Sequence, residues 1–285
     1  MKTLIKEVLE AFTHFIGRIS GRYYFEDYIR VYPSGLVFNR LGKKRKATKQ
    51  DLNNYLNHCK FYRFVGQFVN NKKVVDVGCG SGYGSKILKE CGSISYDGFD
   101  ISKSSIKYAK SHYTDYGTFC ISSITNMSQV ADSSYDITIS SEVMEHIKEY
   151  NMENRAIGEL KRITKNKGLI IIGTPNSELL NNHGFSYDEI NGLFSKNFSH
   201  YCIFENAFIP FGENKKAWTK RLEEKNTGVI ISELINIEES CIPDGYTPEL
   251  KHGLEVGTYN LENYKIDTKL LHNTHSWVIV AINEQ

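Results

Sequence analysis

Eleven residues, Val74-Val75-Asp76-Val77-Gly78-Cys79-Gly80-Ser81-Gly82-Tyr83-Gly84, constrain this chain more than any other stretch. A short β-branched apolar run ending in a turn signal reads as a buried parallel strand. Glycine then occupies positions 78, 80, 82 and 84, where the backbone can approach a ligand closely and take positive φ. Ser85-Lys86-Ile87-Leu88-Lys89-Glu90 follows and can start a helix whose free N–H groups face whatever the loop holds. The spacing narrows the ligand. A dinucleotide fingerprint needs glycine at 83 or 85, but these are Tyr83 and Ser85, and no Gly-Lys-Ser/Thr follows as a P-loop requires. The pattern is D-x-G-x-G-x-G, and a carboxylate ahead of the first glycine suits a ligand with a positive centre better than a phosphate.

Beyond the loop, strand-like and helix-like segments alternate. Strands are expected at Ser95–Asp100, Thr118–Ile121, Ile137–Ser140, Leu169–Ile172, Tyr201–Phe208 and Trp277–Ile282. Helices are expected at Ser104–His112, Asn151–Ile163 and Tyr187–Phe198, with a turn at Asn166-Lys167-Gly168. That alternation predicts a parallel sheet with right-handed crossovers and a ligand cleft at the carboxyl ends of its strands. Asp100 ends the second strand, 24 positions after Asp76, where a carboxylate can accept from both hydroxyls of a ribose. Asp100 can also cap the helix beginning near Ser102.

Two further motifs complete a resemblance. Tyr135-Asp136-Ile137-Thr138-Ile139-Ser140-Ser141-Glu142-Val143-Met144-Glu145-His146-Ile147 follows F-D-x-V-x-x-x-E-V-L-E-H-I nearly residue for residue. With the glycine loop and Asp100, it resembles the class I S-adenosylmethionine-dependent methyltransferases over about residues 55–211 plus the last strand. The resemblance implies an α/β, Rossmann-like, doubly wound seven-stranded sheet, parallel with an antiparallel last strand. It implies S-adenosyl-L-methionine as cofactor, held by Asp76, Gly78, Cys79, Gly80, Gly82, Tyr83, Asp100, Ile101, Ser123, Ile124 and Ser140. Ser123 stands where the family commonly has an acid that bonds adenine, so that contact is weakened here. Three parts are expected: a helical and aromatic extension at 1–54, a cofactor-binding core at 55–211 with 273–285, and an insertion at 212–272 that caps the substrate side or forms a dimer lobe.

Methyl transfer to a hydroxyl benefits from a base. His146, His183 and Glu142 are the candidates near the expected cleft. Resemblance to bacterial enzymes that modify glycans or small metabolites points to O-methylation of a sugar, sugar nucleotide or similar polar molecule. An N-methyltransferase acting on an amino-sugar is a close alternative. Glu142, Glu145, His146 and His183 also have the residue types of a divalent-metal site, as in small-RNA 2′-O-methyltransferases. A net charge of +2 over 285 residues gives no field that would recruit nucleic acid, however, and no metal is expected. A non-catalytic cofactor sensor is the remaining alternative.

Six scattered cysteines without a C-x-x-C pair read as reduced thiols of a cytoplasmic protein. No apolar run reaches the ~18 residues of a membrane span, and Lys6, Glu7 and Glu10 interrupt the first apolar stretch, unlike a secretory leader. Residues 1–20 carry an apolar helical stripe that could pack on a dimer partner or lie on a membrane surface. Lys43-Lys44-Arg45-Lys46 reads as a solvated loop, with phosphate binding as its functional alternative.

Overall fold

The computed structural model describes residues 36–38, 44–46, 58–59, 61–177, 183–206, 254–255, 258–259 and 276–284. The stripe at 1–20 and most of the 1–54 extension and 212–272 insertion lie outside the described residues. Within the basic run, β2 (Lys44–Lys46) pairs antiparallel with β1 (Leu36–Phe38), so it forms a ribbon rather than a loop.

The core is a seven-stranded sheet. Its strands are β3 (Lys73–Val77), β4 (Ser95–Asp100), β5 (Thr118–Ile121), β6 (Tyr135–Ser141), β7 (Thr164–Pro175), β8 (Tyr201–Asn206) and β11 (Ser276–Ile282). The two short strands β9 (Leu254–Glu255) and β10 (Thr258–Tyr259) form a separate ribbon. Spatial order is β5-β4-β3-β6-β7-β11-β8, and β11 alone runs antiparallel to both its neighbours. The order reverses between β3 and β6, where the chain leaves a crevice at the carboxyl ends.

Both faces of the sheet are covered, which is why Leu169–Ile172 in β7 and Trp277–Ile282 in β11 are apolar without interruption. Alternate side chains go to opposite faces. Val74, Ile137, Leu169, Ile171, Val278 and Val280 join one core, with the helical residues 61–66, α1 (Tyr83–Glu90) and α2 (Lys103–His112). Val75, Ile170, Ile172, Trp277 and Ile279 join the other, with α3 (Met144–Lys148), α4 (Glu153–Ile163) and α5 (Tyr187–Asn197). The ends of α2 and α5 follow local chemistry. Ser102 accepts from Ser105 N at the start of α2, and Ser186 with Glu189 forms a reciprocal capping box on α5.

Some boundaries differ from expectation. Asn151 sits at φ +55°, outside any helix, so α4 begins at Glu153. β8 is described over Tyr201–Asn206, and the last two residues of the expected strand, 207–208, lie outside the described residues. The expected turn at 166–168 is absorbed into β7 as an irregularity, with Lys167 at φ +62°. Lys167 N donates to Asn283 O (2.7 Å) and Asn283 N to Gly168 O (2.9 Å), so Asn283 satisfies backbone groups at this irregularity.

Two glycines test the packing in opposite directions. A Cβ on Gly84 would lie 2.4 Å from the ring of Tyr62, whereas one on Gly158, exposed in α4, would meet nothing within 4 Å. Gly158→Ala should therefore stabilise the fold by about 0.5–1 kcal/mol through helix propensity. Gly84→Ala should cost about 1–3 kcal/mol through overpacking. Chemical denaturation of the two variants checks the signs.

Candidate active site

The site is built where β4 ends. Gly78 N (2.7 Å) and Cys79 N (3.0 Å) both donate to the carbonyl of Phe99, so the glycine loop folds over that strand end. Asp100, the next residue, accepts from Gly80 N through Oδ2 (2.8 Å) and from Ser102 N through Oδ1 (2.7 Å). One carboxylate thus joins the loop to the start of α2. Gly78, at φ +96°, is required by crowding as well as by conformation, because a Cβ there would lie 2.2 Å from Val143. A Cβ at Gly80 would instead face open space.

Asp76 lies beneath this loop, fully buried. Its Oδ2 accepts from the hydroxyls of Tyr62 (2.7 Å) and Tyr96 (2.6 Å), while Oδ1 is buried with no hydrogen-bond partner. Burial pushes the carboxyl up to about 7; the Tyr96 and Tyr62 hydrogen bonds oppose that rise, and the charge of Asp100 adds to it. Burial also pushes both phenols up, so they stay protonated donors. Gly84 leaves room for the Tyr62 ring that makes this contact.

A cleft with about 680 Å³ of empty space, open to solvent on one side, runs along the carboxyl ends of β4, β5 and β6. It brings together Gly78, Asp100, Ile101, Ser123, Ile124, Glu142 and His146 of the expected residues. Glu142 enters it from a left-handed backbone (φ +56°) held by its N–H on Gly173 O (2.9 Å). For a long polar side chain that conformation is strained, and such strain clusters at functional sites. Among the described residues, the charged or ionisable walls are two carboxylates, Asp100 and Glu142, one imidazole, His146, and the phenol of Tyr150, with no Lys or Arg.

Other expected residues stand off these walls. Ser140 is buried and donates to Val77 O (2.7 Å), tying β6 to β3. Cys79 is buried with its thiol pushed up by desolvation, and a Cβ at Gly98 would meet its sulfur. Gly82 packs on Ala109 and Phe119, and the Tyr83 hydroxyl bonds His58 Nδ1 (2.7 Å). His183 is exposed with its ring 5.6 Å from that of His146. Glu145 turns inward, 3 % exposed, to accept from Thr174 (3.1 Å). Among the described residues no three His, Cys, Asp or Glu side chains are grouped to hold a metal ion.

The cleft also has walls that motif reading missed: Ser122, Ser141, Val143, Ile147 and Tyr150. Val143, His146, Ile147 and Tyr150 follow the i, i+3, i+4, i+7 spacing of one helical face, a signal already present in the sequence.

Comparison with known proteins gives the same assignment. A family model described as a methyltransferase domain matches residues 68–228, more than half of the chain. A malonyl-[acyl-carrier protein] O-methyltransferase of Buchnera aphidicola is 25% identical over 151 residues, 50% of this chain and 59% of that protein. The chain spans about half the length of the curated relatives it matches. Among solved structures, a chain of the complex of the Haloferax volcanii Trm112 methyltransferase activator with a methyltransferase superposes with a TM-score of 0.54 at 16% identity, covering 83% of this chain and 94% of that one. A SAM-dependent methyltransferase from Archaeoglobus fulgidus gives 0.50 at 18% identity, covering 83% and 95%. Their fold is the one described above. The glycine loop, the strand order and the matched domain thus converge, and the chain belongs to the methyltransferase-domain family.

Proposed function

We propose that this enzyme methylates a hydroxyl of a sugar, sugar nucleotide or similar polar small molecule, with His146, assisted by His183 and Glu142, taking the proton. The observation that carries this reading is Glu142, held in a strained backbone conformation on the same cleft as His146. When bound, S-adenosylmethionine supplies an electrophilic methyl group on a sulfonium. The chain's task is then to align an oxygen, exclude water and accept its proton. Histidine suits that work near neutral pH. The Buchnera relative, an O-methyltransferase by name, is in line with oxygen as the acceptor.

The donor set supports the cofactor's fit. Asp76 offers a buried carboxylate oxygen without a partner, which matches the ammonium end, and Gly80 leaves open space for close approach. Asp100, on the cleft wall, would take the ribose, while Ile101, Ser123 and Ile124 would flank adenine. An amine acceptor is a second reading, favoured by described walls that carry two carboxylates and no Lys or Arg. We also propose a cytoplasmic location, supported by Cys79, Cys91 and Cys120 as free thiols. No helix among the described residues is long and apolar enough to cross a membrane.

The full chain, incubated with labelled cofactor and a panel of sugars, sugar nucleotides and amino-sugars, should label a neutral hydroxyl acceptor. Labelling only of amines would select the second reading, and no labelling despite tight cofactor binding would sink both. On that acceptor His146→Ala should lower kcat by about 10²–10⁴-fold, the range for a positioned base, and remove the acidic limb of the pH profile.

Glu142 should show opposed effects on stability and activity. Glu142→Gly relieves about 1–2 kcal/mol of left-handed strain against an entropic cost of about 0.5–1 kcal/mol, for a net gain near 1 kcal/mol. The same variant should lose activity along with Glu142→Gln. Melting curves beside rate measurements test both halves.

Asp76 links pH to both folding and binding. Its carboxyl is raised from 3.8 to about 7, so the folded state binds this proton more tightly than the unfolded chain. The stability it contributes is complete below 3.8 and is lost as pH rises to about 7. An ammonium ligand favours the ionised form, so cofactor affinity should climb across the same window. Calorimetric titration should show that slope, and Asp76→Asn should flatten it.

A further inference from the structure

One side chain that no motif singles out joins the two histidines of the proposed base. Lys148 is the last residue of α3, the helix that carries His146. Its ammonium donates to the carbonyl of Gly184 (3.0 Å) and to Glu189 (2.7 Å), and it lies 4.8 Å from the centre of the Phe185 ring. An ammonium has three donors, and here they meet a carbonyl, a carboxylate and an aromatic face. All three partners belong to the connection between β7 and α5 or to the first turn of α5.

That connection is tightly seated beside His183. Gly184, at φ +109°, presses on the end of β7 so closely that a Cβ would lie 2.1 Å from Pro175 O. Phe185 N donates to Pro175 O (3.0 Å), and Phe185 O accepts from Trp277 Nε1 (2.9 Å) and Ser177 N (3.1 Å). These bonds fix the segment to the sheet. Phe185 shares a core with Met144 and Ile147 of α3, and Lys148 adds a polar tie between that helix and the segment. His183 immediately precedes the anchored residue, and its ring lies 5.6 Å from that of His146.

We infer that Lys148 is a positioning residue of the transfer site: by clamping Gly184, Phe185 and Glu189 onto α3, it sets His183 beside His146 at the rim of the cleft. The inference rests on the proposed role of the two histidines. A partly exposed ion pair contributes little to stability, with side chains 30% and 47% exposed here. Small displacements of reacting groups, by contrast, cost rate steeply. The clamp should therefore act on the site far more than on folding.

Two measurements on the full-length protein separate the clamp from the base reading. With ¹⁵N-histidine labelling, His146→Gln should shift the His183 ring signals in the wild-type background, and that shift should vanish in Lys148→Met and return in Lys148→Arg. Persistence of the shift in Lys148→Met overturns the clamp, whatever the acceptor. On the acceptor identified above, Lys148→Met should lower kcat about tenfold with cofactor KM unchanged, and should cost nothing further in a His183→Gln background. An equal loss in that background overturns the positioning role. Wild-type kcat in His183→Gln overturns the base reading of His183 instead, while the ring signals still decide the clamp.

Discussion

Everything at the ligand end of this protein depends on how the chain leaves β4. The Phe99 carbonyl takes two loop N–H groups, and the Asp100 carboxylate takes one more from the loop and one from the start of α2. Buried backbone donors must find partners, and here a single strand end satisfies four of them. These four bonds tie the loop to the end of β4 and to the start of α2 at the rim of the cleft.

Below that rim the structure accepts an electrostatic cost. Asp76 is buried without a cation, held by two phenol hydroxyls on one oxygen. Removing a carboxylate from water is expensive unless it is paired, so the group stays protonated further toward neutral pH. Glu142 adds a second local cost, a left-handed backbone at the mouth of β6. Both costs fall beside the cleft, where preorganisation for a ligand can repay them. Two-sided burial of β3, β6, β7 and β11 supplies the stability that tolerates them.

Much of the fold could be read along the chain. Uninterrupted apolar runs at 169–172 and 277–282 mark strands covered on both faces, whereas the cap of α2 is Ser102 rather than Asp100. The cleft residues Gly78, Asp100, Ser123, Glu142 and His146 fall at strand ends, where an α/β sheet places ligands. Ser140 was harder to place. Its position in a strand says which face it occupies, but only the neighbouring strand reveals that its hydroxyl is committed to Val77. The segment at 166–168 has the composition of a turn, and it forms an irregularity within β7, with Lys167 left-handed and Asn283 bonded to Lys167 N and Gly168 O.

By itself, the sequence determined the class of sheet, the glycine loop that follows its first core strand and several strand-end residues of the cleft. These are local quantities: period, glycine spacing and the acid ahead of the first glycine. The tertiary structure alone decided that Tyr62 and Tyr96 hold Asp76, that Gly84 makes room for Tyr62, and that Lys148 reaches Gly184. Those contacts join residues 14, 20 and 36 positions apart in Tyr62–Asp76, Tyr96–Asp76 and Lys148–Gly184. Hydrogen bonds and close packing depend on distance in space, and sequence spacing encodes that distance only within a single helix or strand.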